Sequence, residues 1–187
     1  MIANLIGPSG SGKTTLVSKI EELYPFLYRR LISYTSRIKR VTEKEGESYH
    51  FVDKKMIENK NDFVLQRVRE DGIYAIKKDD LYSTDNKIIL TTFPASGILK
   101  LQKLGCIVAP FFLSVGSDEC EKRMIARGDD PADVRRRILA DLTESTLEIT
   151  RSLLGDRNLC ILNGMLNPNE LALSVHQILS AFRNEIE

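Results

Sequence analysis

The stretch Gly7-Pro8-Ser9-Gly10-Ser11-Gly12-Lys13-Thr14 decides the fold of this chain. It follows the apolar run Ile2 to Ile6 and opens a helical pattern with apolar residues at Leu16, Val17, Ile20 and Leu23. Strand, glycine loop and helix in that order give the G-x-x-x-x-G-K-S/T spacing a mechanical meaning. The glycines let backbone N–H groups curl around a di- or triphosphate, and the helix presents its positive end to the anion. Lys13 has the reach for the β- and γ-phosphates, and the Thr14 hydroxyl suits Mg²⁺. Gly7, Ser9, Gly10, Ser11, Gly12, Lys13, Thr14 and Thr15 are the candidate donor-binding residues, with Thr14 the candidate metal ligand. An ordinary glycine turn would not need all the key positions filled. The expectation is a bound nucleoside triphosphate.

The 187 residues suit one domain spanning 1–187, with enough chain to bury a full core. A net charge of +1 gives no global field that would draw in a nucleic acid polymer or an anionic membrane. Positive charge is local instead, at Arg29, Arg30, Arg37, Lys39 and Arg40 and again at Arg123, Arg127, Arg135, Arg136 and Arg137. That pattern fits small anionic substrates. Three cysteines, Cys106, Cys120 and Cys160, lack metal-ligand spacing, and the apolar runs around Cys106 and Cys160 predict buried, inert thiols in a reducing cytosol. The longest apolar candidate, Cys106 to Val115, contains Pro110 and is too short for a membrane span, and the first apolar run is too short for a signal peptide. The expected location is cytoplasmic.

Strand-like and helix-like segments alternate, which predicts an α/β fold with a mainly parallel central sheet flanked by helices. Expected strands are Ile2–Ile6, Leu31–Thr35, Lys87–Thr92, Cys106–Leu113 and Asn158–Leu162. Expected helices are Thr14–Tyr24, Ala95–Leu104, Ser117–Ala126, Pro131–Leu154 and Pro168–Ile186. Asp130 before Pro131, and Asn167-Pro168-Asn169-Glu170, are well-signed helix starts. Between about 33 and 83 the pattern changes to short strands at Tyr49–Val52, Phe63–Arg69 and Ile73–Ile76, the last after the turn dipeptide Asp71-Gly72. This predicts a small mixed β insertion. His50 reads as a partly buried structural residue, His176 as a surface residue, and Phe111-Phe112 as core. Asp79-Asp80 reads as a solvated helix start, with a metal role as the alternative.

The run Ser33-Tyr34-Thr35-Ser36-Arg37-Ile38-Lys39-Arg40 offers hydroxyls and two arginines three apart, a pattern that grips phosphate or forms a solvated basic turn. Together with Glu43, Gly46 and Tyr49-His50-Phe51-Val52 it resembles the acceptor-binding signature of the guanylate kinase family. Later segments fall in the same order. Arg123 and Arg127-Gly128 lie where that family carries lid arginines, Val134-Arg135-Arg136-Arg137-Ile138 is similar to its helix with a phosphate-facing arginine, and Ile161-Leu162-Asn163 is similar to the strand whose asparagine approaches the donor adenine.

The resemblance implies a P-loop kinase fold and phosphoryl transfer from ATP with Mg²⁺ to a nucleoside monophosphate, GMP or dGMP by family default. It implies Ser33, Arg37, Arg40, Tyr49 and Tyr74 as acceptor-phosphate ligands, Arg123 and Asn163 on the donor side, and Lys13, Arg127 and Arg137 as the catalytic charges, under a lid at about 127–140. Successive helical residues rotate by about 100°, so Arg135, Arg136 and Arg137 cannot share one direction, and family register selects Arg137. The expected assembly is a monomer or a homodimer.

Three departures from the family pattern concern the base and the metal. Leu65 stands where the family has an acid that reads guanine, Ala75-Ile76 stands where it has Gly-Ser, and the strand ending Leu90-Thr91-Thr92-Phe93-Pro94 lacks two usual aspartates. Glu70, Asp71 or Asp79 could supply a carboxylate instead. Two further readings follow: a related kinase with a non-guanine nucleotide or phosphorylated sugar as acceptor, and a non-catalytic domain of guanylate-kinase shape. The latter has no use for Lys13, Thr14 and the lid arginines.

Overall fold

A computed structural model describes residues 1–39, 43–58, 62–69, 71–82 and 86–184. Contacts divide the chain into two compact units, Met1–Arg29 with Lys87–Glu187, and Arg30–Asn86.

The first unit is built on a five-stranded sheet. In chain order its strands are β1 (Ile2–Ile6), β2 (Tyr28–Arg30), β7 (Ile88–Thr91), β8 (Val108–Ser114) and β9 (Cys160–Asn163), arranged β2-β7-β1-β8-β9. β1 pairs in parallel with β7 and β8, and β8 with β9. Central strands covered on both faces need apolar residues throughout, and β1 is buried at every position. Around the sheet lie α1 (Lys13–Leu23), α4 (Ala95–Lys103), α5 (Ser117–Ala126), α6 (Pro131–Glu144), α7 (Leu147–Leu154) and α8 (Pro168–Asn184). Leu5, Leu16, Ile20, Leu90, Phe111 and Leu113 share one core with Val175 and Leu179 of α8.

Asn4 is a polar side chain fully buried within this sheet. Its Oδ1 accepts from the Thr91 hydroxyl and, at 2.8 Å, from the Phe93 amide, and its Nδ2 donates to the Phe93 carbonyl at 2.9 Å. Three satisfied bonds remove the cost of burying the amide and fix the exit of β7 against β1.

The second unit holds a four-stranded sheet of β3 (Tyr34–Thr35), β4 (His50–Phe51), β5 (Phe63–Arg69) and β6 (Gly72–Lys77) in the order β4-β3-β6-β5, with α2 (Lys54–Glu58) and α3 (Lys78–Leu81). β3 runs parallel to β4 and antiparallel to β6, which forms an antiparallel hairpin with β5. Ile57, Phe63, Ile73 and Ala75 make its small core. Gly72 sits at φ +151, and a Cβ there would come within 2.7 Å of the Arg37 backbone nitrogen, so this corner requires glycine.

Several expectations are corrected. The helix expected over Pro131–Leu154 is two helices, because Ser145 leaves helical geometry and Thr146 caps a new start by accepting from the Ile149 amide at 3.2 Å. The strand expected over Leu31–Thr35 shrinks to Tyr34–Thr35, while Tyr28–Arg30 adds an unforeseen edge strand to the parallel sheet. His176 is half-buried rather than on the surface: its ring stacks on Tyr24 at 4.1 Å, and Nδ1 lies 2.9 Å from the Tyr28 hydroxyl, joining α1 to α8. Cys106, in the loop before β8, and Cys160, at the start of β9, are only half-buried, whereas Cys120 is the buried thiol. Ile186, the expected end of the last helix, lies outside the described residues.

Candidate functional site

Parallel strands of the first unit deliver Ile6, Thr91, Ser114 and Asn163 to one end of the sheet, the end at which ligands of open α/β sheets bind. The Gly7–Thr14 loop leaves β1 there and runs into α1. Gly10 has φ +81, and a Cβ on it would lie 2.5 Å from the Cys120 carbonyl of α5, so the loop lies directly on that helix. The ammonium of Lys13 turns back into the loop, donating to the carbonyls of Gly7 at 2.7 Å and Pro8 at 2.8 Å and to Ser11 Oγ at 3.4 Å. Thr14 and Thr15 are exposed on the first turn of α1.

The loop is braced from two other helices. Arg123 of α5 reaches the Ser11 carbonyl at 3.4 Å and the Gly164 carbonyl at 3.2 Å, and its Nε donates to Glu119 at 2.8 Å. Asp141 of α6, only 7% exposed, accepts from the Ser9 amide at 2.5 Å. Asn163, at the end of β9, uses Oδ1 to accept from the Met165 amide at 3.1 Å. Arg127 and Arg137 converge on one carboxylate: both donate to Asp129, Arg137 at 2.7 Å. Arg135 is exposed, and Arg136, also exposed, pairs with Asp133.

In the second unit, Arg37, Tyr49 and Tyr74 come together. Arg37 is 6% exposed, and its guanidinium forks onto the two oxygens of Glu43, one at 2.7 Å. Its Nε donates to the Tyr74 hydroxyl at 2.9 Å, and Tyr74 donates onward to Asp71 at 2.9 Å. The rings of Tyr49, Phe51 and Tyr74 surround the cation, with centroids 5.0, 5.6 and 5.9 Å from it. Burial works against the Arg37 charge, but the hydrogen bond to Glu43 and the fields of Tyr74 and Glu43 outweigh it, so the guanidinium pKa is raised. Burial, partly opposed by the Arg37 charge, pushes the Tyr74 phenol up to about 12. Ser33 places its carbonyl on the His50 amide at 2.9 Å. Arg40 and Glu70 lie outside the described residues. The two departure positions are direct cross-strand partners, Leu65 opposite Ile76, and Ile76 is fully buried.

Sequence reasoning missed Asp71, Asp129 and Asp141 as partners of the expected site residues. Asp71 and Asp129 are local, three and two residues from Tyr74 and Arg127, and spacing could have flagged them. Asp141 lies 132 residues from Ser9 and carries no local signal. Among the described residues no cluster of three or more His, Cys, Asp or Glu side chains could hold a metal ion. No helix among them is long and apolar enough to cross a membrane.

A parallel sheet whose first strand feeds a glycine loop and helix, with a mixed second sheet inserted between β2 and β7, is the fold of the P-loop kinases. The family model for guanylate kinase matches residues 2–137, and with most of its length so matched the chain belongs to the guanylate kinase family. It is 33% identical over 153 residues to the guanylate kinase of Oleidesulfovibrio alaskensis, covering 73% of this chain and 69% of that one. It is 30% identical over 187 residues to that of Campylobacter jejuni, covering 96% of this chain and 88% of its relative. The crystal structure of guanylate kinase from Anaplasma phagocytophilum superposes with a TM-score of 0.62 at 19% identity, over 97% of this chain and 84% of that one, a likeness of fold.

Proposed function

We propose that this protein transfers the γ-phosphoryl group of Mg·ATP to a nucleoside monophosphate, with GMP and dGMP the first acceptors to test. The observation that carries the reading is the Gly7–Thr14 loop, which follows a central parallel strand and holds the Lys13 ammonium against its own carbonyls. In this reading the loop amides and Lys13 take the donor phosphates, and Arg123 and Asn163 face the donor nucleotide. Mg²⁺ would come on the phosphates with the Thr14 hydroxyl as its protein ligand. One protein oxygen beside several phosphate oxygens suits this hard cation, and the absence of a carboxylate cluster among the described residues fits that arrangement.

The unit Arg30–Asn86 serves as the acceptor-binding insertion, with Ser33, Arg37, Arg40, Tyr49 and Tyr74 as ligands of the acceptor phosphate. Residues 127–140 serve as the lid. Arg127 and Arg137 then exchange Asp129 for the transferring group, whose equatorial oxygens need cations more than they need a base. Positioning and charge supply the catalysis, and no covalent intermediate is required. The cytoplasm is the natural compartment for such a reaction.

The cross-strand pair Leu65–Ile76 favours a second reading, in which the acceptor has no guanine. Two aliphatic residues cannot pair the donors of a guanine edge, and each donor left unpaired costs about 1–3 kcal/mol. A coupled ADP-release assay over all ribo- and deoxynucleoside monophosphates and a panel of phosphorylated sugars tests both. Turnover confined to guanine nucleotides supports the first reading, and turnover confined to another acceptor replaces it with the second. A folded protein that binds ATP and turns over no acceptor returns the chain to a binding role.

A further inference from the structure

Ser9 offers one of the amides of the phosphate loop, and that amide is already taken by an anion. The Asp141 carboxylate accepts from it at 2.5 Å while almost fully withdrawn from solvent. A carboxylate on a loop amide is chemically a stand-in for a phosphate oxygen, since both are anionic oxygens that accept charge-assisted bonds from N–H groups. Lys13 is likewise turned onto loop carbonyls. One loop amide is therefore held by Asp141, and the loop's cation by the Gly7 and Pro8 carbonyls and the Ser11 hydroxyl.

We propose that Asp141 is a competing internal anion that sets the affinity of the phosphate loop for its donor. The inference rests on the donor reading of Gly7–Thr14 given above. A triphosphate arriving at this loop meets a fixed negative charge and has to take the Ser9 amide from it. Two like charges about 5 Å apart repel appreciably even at an effective dielectric constant of about 20, so the carboxylate weakens binding unless it withdraws. Asp141 lies on α6, three residues before that helix ends at Glu144, and on the same helix as Arg137. Release of the Ser9 amide thus reports donor arrival to the helix that carries a candidate catalytic arginine. Asp141 is a positioning residue in this scheme and touches no reacting atom.

Calorimetric titration of Mg·ATP into the wild type, Asp141→Asn and Asp141→Ala tests the idea. Asparagine keeps the size and an acceptor oxygen while removing the charge, so its Kd should fall on the order of tenfold. The KM for ATP should fall with it while the KM for the acceptor stays put, a split that general loosening of the fold would not produce. In the wild type, the ¹³C resonance of the Asp141 carboxyl should move when Mg·ATP is added, a readout that needs no variant to fold. Equal or weaker ATP binding in both variants, or an unmoved Asp141 resonance in an ATP-saturated wild type, overturns the proposal and leaves the donor reading standing. A folded wild type that does not bind Mg·ATP removes the donor reading and this inference together.

Discussion

Arg37 and Tyr74 are joined by a 2.9 Å hydrogen bond from the guanidinium Nε to the phenol oxygen, Arg37 lying two residues past the end of β3 and Tyr74 on β6. The bond completes a chain from Glu43 through Arg37 and Tyr74 to Asp71, so the orientation of the fork is set before any ligand arrives. Tyr74→Phe removes the acceptor from a buried charged donor. The expected result is a loss of about 1–3 kcal/mol of stability together with a raised acceptor KM and little change in the KM for ATP. Denaturant unfolding and steady-state kinetics check the two parts separately, and an unchanged acceptor KM removes Tyr74 from the acceptor site. Arg37→Ala should be more severe, lowering kcat as well, because it removes the buried guanidinium that Tyr74 and Glu43 hold in one orientation.

Stability should fall at alkaline pH through two tyrosines. Burial, then the neighbouring Tyr24, pushes the Tyr28 phenol up to about 12, and burial does the same at Tyr74. Between about 10 and about 12 the unfolded chain has released protons that the folded chain keeps, so unfolding becomes easier as pH rises through that window. Below it the contribution is fully present. Urea midpoints measured from pH 9 to 11.5 should decline, and Tyr28→Phe should make the decline shallower. A Tyr28→Phe protein with the wild-type slope would remove Tyr28 as a cause.

Gly10 carries both a left-handed backbone and a contact with the Cys120 carbonyl that leaves no room for a methyl group. Gly10→Ala should therefore destabilise the protein by about 2 kcal/mol or more and weaken ATP binding, since relieving the clash displaces the loop amides. Thermal unfolding with and without Mg·ATP measures both effects. Wild-type stability with wild-type ATP affinity would show that the loop does not rest on α5 as described.

Lys13→Ala should lower kcat by roughly 10²–10³ while the folded state persists, because the loss is of charge at the transferring group rather than of core packing. Circular dichroism establishes the fold and a coupled assay the rate. A rate within a few-fold of the wild type would take Lys13 out of the chemistry.

Much of the fold was legible because its strongest signals are local. The β1 run, the β5 run and the α5 span Ser117–Ala126 have the bounds expected from the sequence pattern alone. The cap at Asp130 accepts from the Ala132 amide at 2.9 Å, and Asn167 and Glu170 form the reciprocal pair their spacing predicts. What was not legible depends on distant partners. Tyr28-Arg29-Arg30 is too short and too charged to read as a strand, and only β7 beside it makes it one. His176 looks like a polar helix residue until Tyr24 and Tyr28 of another segment enclose it. At the candidate site the loop, Arg37, Tyr49 and Tyr74 could be named from spacing and resemblance, yet the carboxylate that holds Ser9 lies 132 residues away in the chain and becomes its partner only once the chain is folded.

The amide of Asn4 imitates a peptide unit: it gives one bond to Phe93 and takes one back, so the β1–β7 pairing continues one rung beyond its own backbone. Thr91 and Asn4 carry no ionisable group, and this seam keeps one protonation state from acid to base. Acidification that loosens carboxylate-held parts of the molecule leaves this junction zipped, and Asn4→Asp, by trading a donor for a second acceptor facing the Phe93 carbonyl, would prise open the floor on which the phosphate loop begins.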